Sequence, residues 1–284
     1  MELIKLTEQN VSDYKDFIPD EIAENIGRIH FRGIVAAEDE NPLGGMVWMM
    51  KNFHGQGDPE GHIIWLRVAD ETAVSCLMDG YREDVEAEGI ARSTVSLPAR
   101  TSLKERTILA DAGFETGLME GDEIVAGLSE ISELPFVKKL RVSDAIRPLH
   151  DATQRSFNRS VRRMVQKGYY GLCEDIEELP RVYFENDISC FSEEDGMING
   201  LFLCHKRPSG RISVELMAAL GKDYQKLVAQ LIVCSAKAAM ELYTPETEIV
   251  IDRHNYATMA LGEKLFPRGF GIPVFTGSRS EKEE

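Results

Sequence analysis

Few side chains in this sequence stand where unaided chemistry would need them. His205 and His254 fall at the ends of strand-like runs, where an imidazole can act as a general base. Neither has a partner at the spacing of a metal ligand, so both read as structural or surface groups. Gly55, Gly57 and Gly61 imitate a dinucleotide turn, but the segment leads into a strand and offers a phosphate no helix N-terminus; a hairpin loop is expected. Cys76, Cys173, Cys190, Cys204 and Cys234 lie scattered without a C-x-x-C pair, the pattern of reduced, mostly buried thiols. Arg155, Arg159, Arg162 and Arg163 share one helical face, which suits an anionic ligand or, more simply, water. The sequence holds no Walker turn, no G-x-S-x-G elbow and no H-E-x-x-H, and no metal is expected.

Charge narrows the partners. The 284 residues carry a net −16. Residues 1–134 hold 11 basic and 27 acidic side chains, and residues 135–284 hold 21 of each, so all the excess acidity lies in the first part. Such a field repels nucleic acid and phospholipid and attracts cations, so neither a nucleic-acid nor a membrane partner is expected. An anionic cofactor should prefer the second half. With 43% hydrophobic and 28% charged residues, the composition is that of a globular protein long enough for two cores. The opening residues alternate and include Glu2, and the most apolar helix candidate, 227–242, is interrupted by Gln230, Lys237 and Glu241. A cytoplasmic protein without secretion signal or membrane span is expected.

The elements that must position any site follow from periodicity. Leu3 to Leu6 reads as a short strand, and Ser12 to Ile26 as helical material broken near Pro19. Phe31 to Ala37 and Met46 to Met50 form a hairpin around turn residues, followed by the strand His62 to Val68. Val74, Leu77, Met78, Tyr81 and Val85 then recur at helical spacing, with Gly89 as the stop. Thr94 to Leu97 as strand, Ser102 to Ala112 as helix and Glu123 to Leu128 as closing strand complete a first copy. A second copy repeats the order: Val137 to Leu140 as first strand, Ala145 to Lys167 as helix, a hairpin from Ile188 to Cys204, and the long strand Arg211 to Leu220. The helix Tyr224 to Leu242, the strand Glu248 to Ile251, the helix Tyr256 to Leu265 and the strand Ile272 to Phe275 follow. Glu130 to Pro135 is the expected linker and Ser278 to Glu284 a disordered tail. The copies are marked by Gly45-Met46-Val47 leading to Gly113 and Gly196-Met197-Ile198 leading to Gly269, 68 and 73 residues on. A period of that size suits a duplicated α/β domain. Domains 1–134 and 135–284 are expected, each a mixed sheet with a parallel crossover after its hairpin.

This order of elements resembles the GNAT superfamily of acyl-CoA-dependent N-acyltransferases, in tandem over nearly the whole chain. The residues that carry the resemblance are Arg211 to Leu220, Asp223 to Ile232, Asn255, Leu261 to Leu265 and Gly269-Phe270 in the second copy. In the first they are His62 to Val68, the helix from Thr72, and Ala110 to Phe114. The resemblance implies acetyl-CoA as co-substrate, and a fourth strand that splays from the fifth so that unpaired backbone groups bond the pantetheine arm. It further implies a Gln/Arg-x-x-Gly-x-Gly/Ala turn opening the next helix, whose free amides and dipole hold pyrophosphate. Here that turn is Gln225-Lys226-Leu227-Val228-Ala229, in which Gln225 and Ala229 agree and Val228 or Leu227 stands at a glycine position. The implied cofactor-binding residues are Met217, Ala218 and Ala219 for the pantetheine and thioester, then Tyr224, Gln225, Lys226, Val228, Ala229 and Asn255. In the first copy the matching stretch, Asp70 to Ser75, sets two carboxylates where phosphate would lie, and like charge opposes the cofactor.

Attack of an amine on a thioester needs the ammonium deprotonated, the oxyanion held by a backbone N–H and the leaving thiolate protonated. The resemblance assigns the first task to Glu215 on the fourth strand, a residue that alternation alone would as soon turn toward solvent. The family's proton-donating tyrosine falls on Leu109 in the first copy and Gly262 in the second, with Tyr256 about a turn away. The resemblance thus implies an acetyltransferase for a small-molecule or peptide amine, built as an intramolecular pseudo-dimer. The eroded turn and lost tyrosines keep open a non-catalytic binding protein on the same scaffold.

Overall fold

The first elements form where the chain's own restrictions place them. In the computed structural model, which describes residues 1–51, 59–98, 103–169, 174–252 and 271–281, β1 (Glu2–Lys5) precedes a 3-10 turn at Val11–Tyr14 and a short helix, α1 (Asp20–Ala23). The helix starts directly after Pro19, whose fixed φ and missing N–H suit that place. β2 (Phe31–Glu38) and β3 (Asn41–Lys51) form a hairpin turned by Asp39 and Glu40, both at positive φ. β4 (Glu60–Val68), α2 (Ala73–Ala87), β5 (Arg92–Pro98), α3 (Leu103–Asp111) and β6 (Glu115–Gly127) follow. The stripe of Leu77, Met78, Tyr81 and Val85 on α2 is buried against Ile34, Met46, Trp48, Ile63 and Leu97 of the sheet. Gly89, at φ +65, ends the helix as expected.

Next come α4 (Leu128–Glu133), α5 (Pro135–Lys139), β7 (Ile146–Pro148), α6 (Gln154–Val165), β8 (Cys190–Glu194) and β9 (Met197–Lys206). β10 (Ile212–Ala219), α7 (Tyr224–Leu242), β11 (Glu248–Asp252) and β12 (Gly271–Ser280) complete the chain. α7 spans the length read from its periodicity and buries Leu231, Ser235, Ala236 and Ala239.

Two compact units result: Met1–Asp122 with Ile272–Glu284, and Glu123–Gly271. The first orders its strands β1-β2-β3-β4-β5-β12-β6, and the second β6-β11-β10-β9-β8-β7, with β6 entering both. β4 with β5 and β10 with β11 are parallel pairs among antiparallel neighbours, so each unit carries the mixed α/β sheet expected.

Five expectations are corrected. The closing strands are exchanged: β12 pairs with β5 of the first unit from Val274↔Pro98 to Ser280↔Arg92, and the Glu123–Gly127 end of β6 pairs with β11 of the second. Alternation with period two gives a strand its faces and not its neighbour, so sequence could not assign these edges. Ser278 to Ser280, expected in a disordered tail, are the end of β12. Val137 lies in α5, opened by Pro135 at its first position, and the next strand is β7. The helix expected from Ala145 begins at Gln154, where Thr153 Oγ1 accepts the Ser156 amide at 3.1 Å. Over the expected linker, α4 buries Leu128 and Ile131 in the second core.

The register of the duplication also differs from the Gly-Met-Val match. Gly44 pairs with Val68 and packs on Ala73 and Leu77, while Gly200 pairs with Ala219 and packs on Leu227 and Leu231. Both lie 69 residues before the later Gly-Phe pair, at Gly113 and Gly269. A close approach of helix to strand, which excludes a Cβ, fixes this equivalence better than the apolar residues around it.

Candidate functional site

In both units the parallel strands separate soon after they meet. β10 follows β11 from Ile212 to Val214, opposite Ile249 to Ile251, and β4 follows β5 from Glu60 to Ile63. Beyond that point Leu216 to Ala219 are paired only with β9 among the described residues. The Leu220 amide donates to the Asn199 carbonyl at 2.7 Å, so ladder alternation turns the backbone groups of Met217 and Ala219 away from β9. The Ala219 carbonyl accepts Tyr169 Oη at 3.4 Å. Met217 is left as the residue whose amide and carbonyl face the opening.

A bulge sits at the separation. Val214 pairs with Cys204 and Leu216 with Leu203, so Glu215 is the extra residue. An inserted residue undoes simple alternation and re-aims its side chain, and Glu215 is 5% exposed instead of facing solvent. Ser213 Oγ donates to Glu215 Oε1 at 2.5 Å and also lies 3.2 Å from the His205 carbonyl. The bulged residue at the same place in β4 is Ile64. Only the second unit sets a carboxylate there.

α7 begins with Tyr224, and its first intrahelical bond runs from the Leu227 amide to the Asp223 carbonyl at 3.1 Å. Asp223 makes no side-chain cap, and the amides of Tyr224, Gln225 and Lys226 have no acceptor among the described residues. The three side chains are exposed, and Gln225 Nε2 donates to Tyr224 Oη at 3.3 Å. Leu227 points the other way: its Cδ2 lies 3.1 Å from where a Cβ on Gly200 would stand. Val228 and Ala229 are half-buried behind it. Ala218 and Ala219 are buried and Met217 half-buried on β10. Asn255, with His254, Tyr256 and Gly262, lies outside the described residues, as do Gly55, Gly57 and Cys173.

Superposing the glycine contacts matches Leu227 and Leu231 with Ala73 and Leu77, so α7 carries one turn, Tyr224 to Lys226, that α2 lacks. The first unit fills the corresponding places with its own acids. Asp70 accepts the Thr72 amide at 2.9 Å and the Thr72 hydroxyl at 2.7 Å, and the amide bond first, then the hydroxyl, hold its carboxyl below the ordinary range. Glu105 on α3 is 7% exposed, and its carboxylate accepts the Val68 amide at 3.3 Å on the separating strand. Neither Glu105 nor Tyr169 stands out in the sequence: an acid in a helix's first turn normally reads as a dipole partner.

The remaining candidates are structural. His205 stacks on Tyr183 at 4.0 Å, and its Nδ1 lies 2.9 Å from the Tyr183 carbonyl. Burial pushes the Cys204 thiol up to about 12, which keeps it protonated and unreactive. Arg155, Arg159 and Arg162 are exposed along α6. Among the described residues no group of three His, Cys, Asp or Glu side chains could hold a metal, and no helix is long and apolar enough to cross a membrane.

No family model matches this sequence, and no curated protein does. Solved structures do. A tandem GNAT protein from the clavulanic acid biosynthesis pathway, without AcCoA, matches at TM-score 0.61 and 10% identity, over 100% of this chain and 99% of that one. A probable N-acyltransferase from Enterococcus faecalis matches at TM-score 0.52 and 13% identity, over 98% of this chain and 72% of that one. A GCN5-related N-acetyltransferase from Kribbella flavida matches at TM-score 0.52 and 15% identity, over 98% and 70%. At such identities the likeness is one of fold, and the chain has a tandem GNAT fold.

Proposed function

We propose that this chain is an acyl-CoA-dependent N-acetyltransferase whose second unit, Glu123–Gly271, binds acetyl-CoA, and whose first unit, which holds most of the excess acidity, does not. One observation carries this reading: the same two places are open in the second unit and filled in the first. At the start of α7 the amides of Tyr224, Gln225 and Lys226 lack acceptors among the described residues, while ahead of α2 the Thr72 amide is held by the Asp70 carboxylate and the Ala73 and Val74 amides by backbone carbonyls. Beside the separating strand the Ala219 amide is turned away from β9, while the amide of Val68, its counterpart opposite Gly44, is held by Glu105. Free amides, a helix dipole and the Lys226 cation suit a diphosphate, and a carboxylate already in place repels one.

Acetyl-CoA would supply an acetyl group activated as a thioester. Tyr224 to Lys226, with Val228 and Ala229 behind them, would hold its diphosphate, and the backbone from Met217 to Ala219 its pantetheine arm. Glu215, buried and held by Ser213, would accept the proton of an incoming primary amine. The acceptor is a small-molecule or peptide amine. The net −16 of residues 1–134 supports this class, because a negative field concentrates cations near the molecule. The same charge disfavours nucleic acid, and a cytoplasmic setting with intramolecular pairing of the copies completes the reading.

A thiol-release assay over a panel of primary amines tests it. Glu215→Gln should lower turnover by about 10² or more while leaving acetyl-CoA affinity in place. A folded protein that binds acetyl-CoA and releases no thiol with any amine would make the scaffold a binding protein instead.

A further inference from the structure

The strand-start end of the first unit holds a pocket that acyl transfer leaves unused. Its volume is about 640 Å³, and Glu60, Arg92, Glu115, Ser278, Arg279 and Ser280 line it. That volume falls within the range of small-molecule sites. Register explains the lining: Arg92 on β5 is paired with Glu60 on β4 and with Ser280 on β12, which sets the three in one row across the sheet. His62, Thr94 and Ser278 form the next row on the same face.

Most of the wall is fixed. Thr94 Oγ1 donates to Glu60 at 2.5 Å and lies 2.8 Å from His62 Nδ1, which must then be the donor in that contact. His62 is 6% exposed. The Arg279 guanidinium is committed to Glu281 at 2.7 Å, to the Ala112 carbonyl at 2.9 Å and to the face of Phe114 at 4.8 Å. Two other charges are not committed. The side chains of Arg92 and Glu115 make no hydrogen bond or ion pair with any described residue. Glu60, although registered beside Arg92, bonds Thr94 instead, and its carboxylate keeps further lone pairs.

The pocket thus offers one guanidinium and two carboxylates. A simple anion would meet Glu60 and Glu115, and a simple amine would meet Arg92. A molecule with two ammonium groups and one carboxylate satisfies all three. We propose that this pocket is a second ligand site, separate from acyl transfer, that takes a basic amino acid. Glu60 and Val68 bound the nine residues of β4, so the pocket lies roughly 26 Å along the strand from its Val68 end.

Calorimetry on the intact chain, without acetyl-CoA, tests the site with L-lysine as probe. Pentane-1,5-diamine lacks the carboxylate, and 6-aminohexanoate lacks one ammonium. Saturable binding of L-lysine is expected, with each analogue about tenfold weaker or worse. Arg92→Gln should weaken L-lysine about tenfold without weakening the diamine, and Glu115→Gln should weaken both. Both residues are exposed, so the variants should keep the wild-type melting temperature. Equal binding of L-lysine and its analogues, or no binding, overturns the proposal. So does L-lysine binding that survives Arg92→Gln and Glu115→Gln yet is lost in Glu215→Gln, since the amino acid would then sit as an acceptor amine. Thiol release is not read, so this site and the transferase reading fail independently.

Discussion

Adding one methyl group at Gly200 should weaken acetyl-CoA binding, and adding it at Gly44 should not. A Cβ on Gly200 would stand 3.0 Å from Leu231 Cδ1 and 3.1 Å from Leu227 Cδ2, tighter than most Cβ contacts, so these neighbours must give way. A Cβ on Gly44 would stand 2.9 Å from Leu77 Cδ1 and 3.2 Å from the Arg67 carbonyl. Overpacking of this kind costs about 1–3 kcal/mol, so both variants should melt lower by roughly 2–4 °C per kcal/mol. The consequences for binding differ. In Gly200→Ala the first turns of α7 must lift by a few tenths of an ångström, misaligning the amides of Tyr224 to Lys226. A loss of about 1–2 kcal/mol, roughly tenfold in affinity, is expected from loosening charge-assisted bonds there. In Gly44→Ala only α2 moves, and affinity should stay at the wild-type value. Thermal melts with acetyl-CoA calorimetry on both variants decide it, and Leu227→Ala added to Gly200→Ala should restore part of both losses. Equal weakening in the two variants, or a Gly200→Ala protein that binds normally after losing stability, would refute the reasoning.

Glu105→Ala should lower the melting temperature, because it leaves the Val68 amide without its acceptor in a buried place, at about 1–3 kcal/mol; an unchanged melt would show that the carboxylate is dispensable. Ser213→Ala removes a donor to a buried carboxylate, and should both destabilise by about 1.5–3 kcal/mol and lower turnover; full activity would detach Ser213 from the site. The Cys204 thiol is raised from 9.0 to about 12 by burial, so the folded state keeps a proton that the unfolded chain loses. Its contribution is complete below about pH 9 and is lost as pH rises toward about 12, up to about 4 kcal/mol in all. Urea unfolding near pH 8 and near pH 10 should show a decline that Cys204→Ala flattens; identical slopes would contradict it.

Much of the scaffold was legible because its signals are local. The apolar stripe of α2, the Gly89 stop and the full span of α7 follow from helical period and end chemistry. Edges were not legible: β12 carries the same alternation whether it closes its own copy or the other, and Val137 reads as strand until Pro135 is seen to open a helix. Among the candidate site residues, the place of Gln225 and Lys226 in the first turn of α7 could be read from helical period, but the burial of Glu215 could not, because it depends on a one-residue bulge. The fillers of the first unit show the same limit in another form. Asp70 announced itself as a charge near a helix start, whereas Glu105 reaches Val68 across 37 positions of sequence.

Titration of the intact chain with acetyl-CoA, read as the number of sites and their response to Lys226→Glu and Asp70→Ala, tests the division of labour between the units most directly. One site per chain is predicted, weakened by Lys226→Glu and indifferent to Asp70→Ala. Two sites, or a single site that follows Asp70 instead of Lys226, would contradict it.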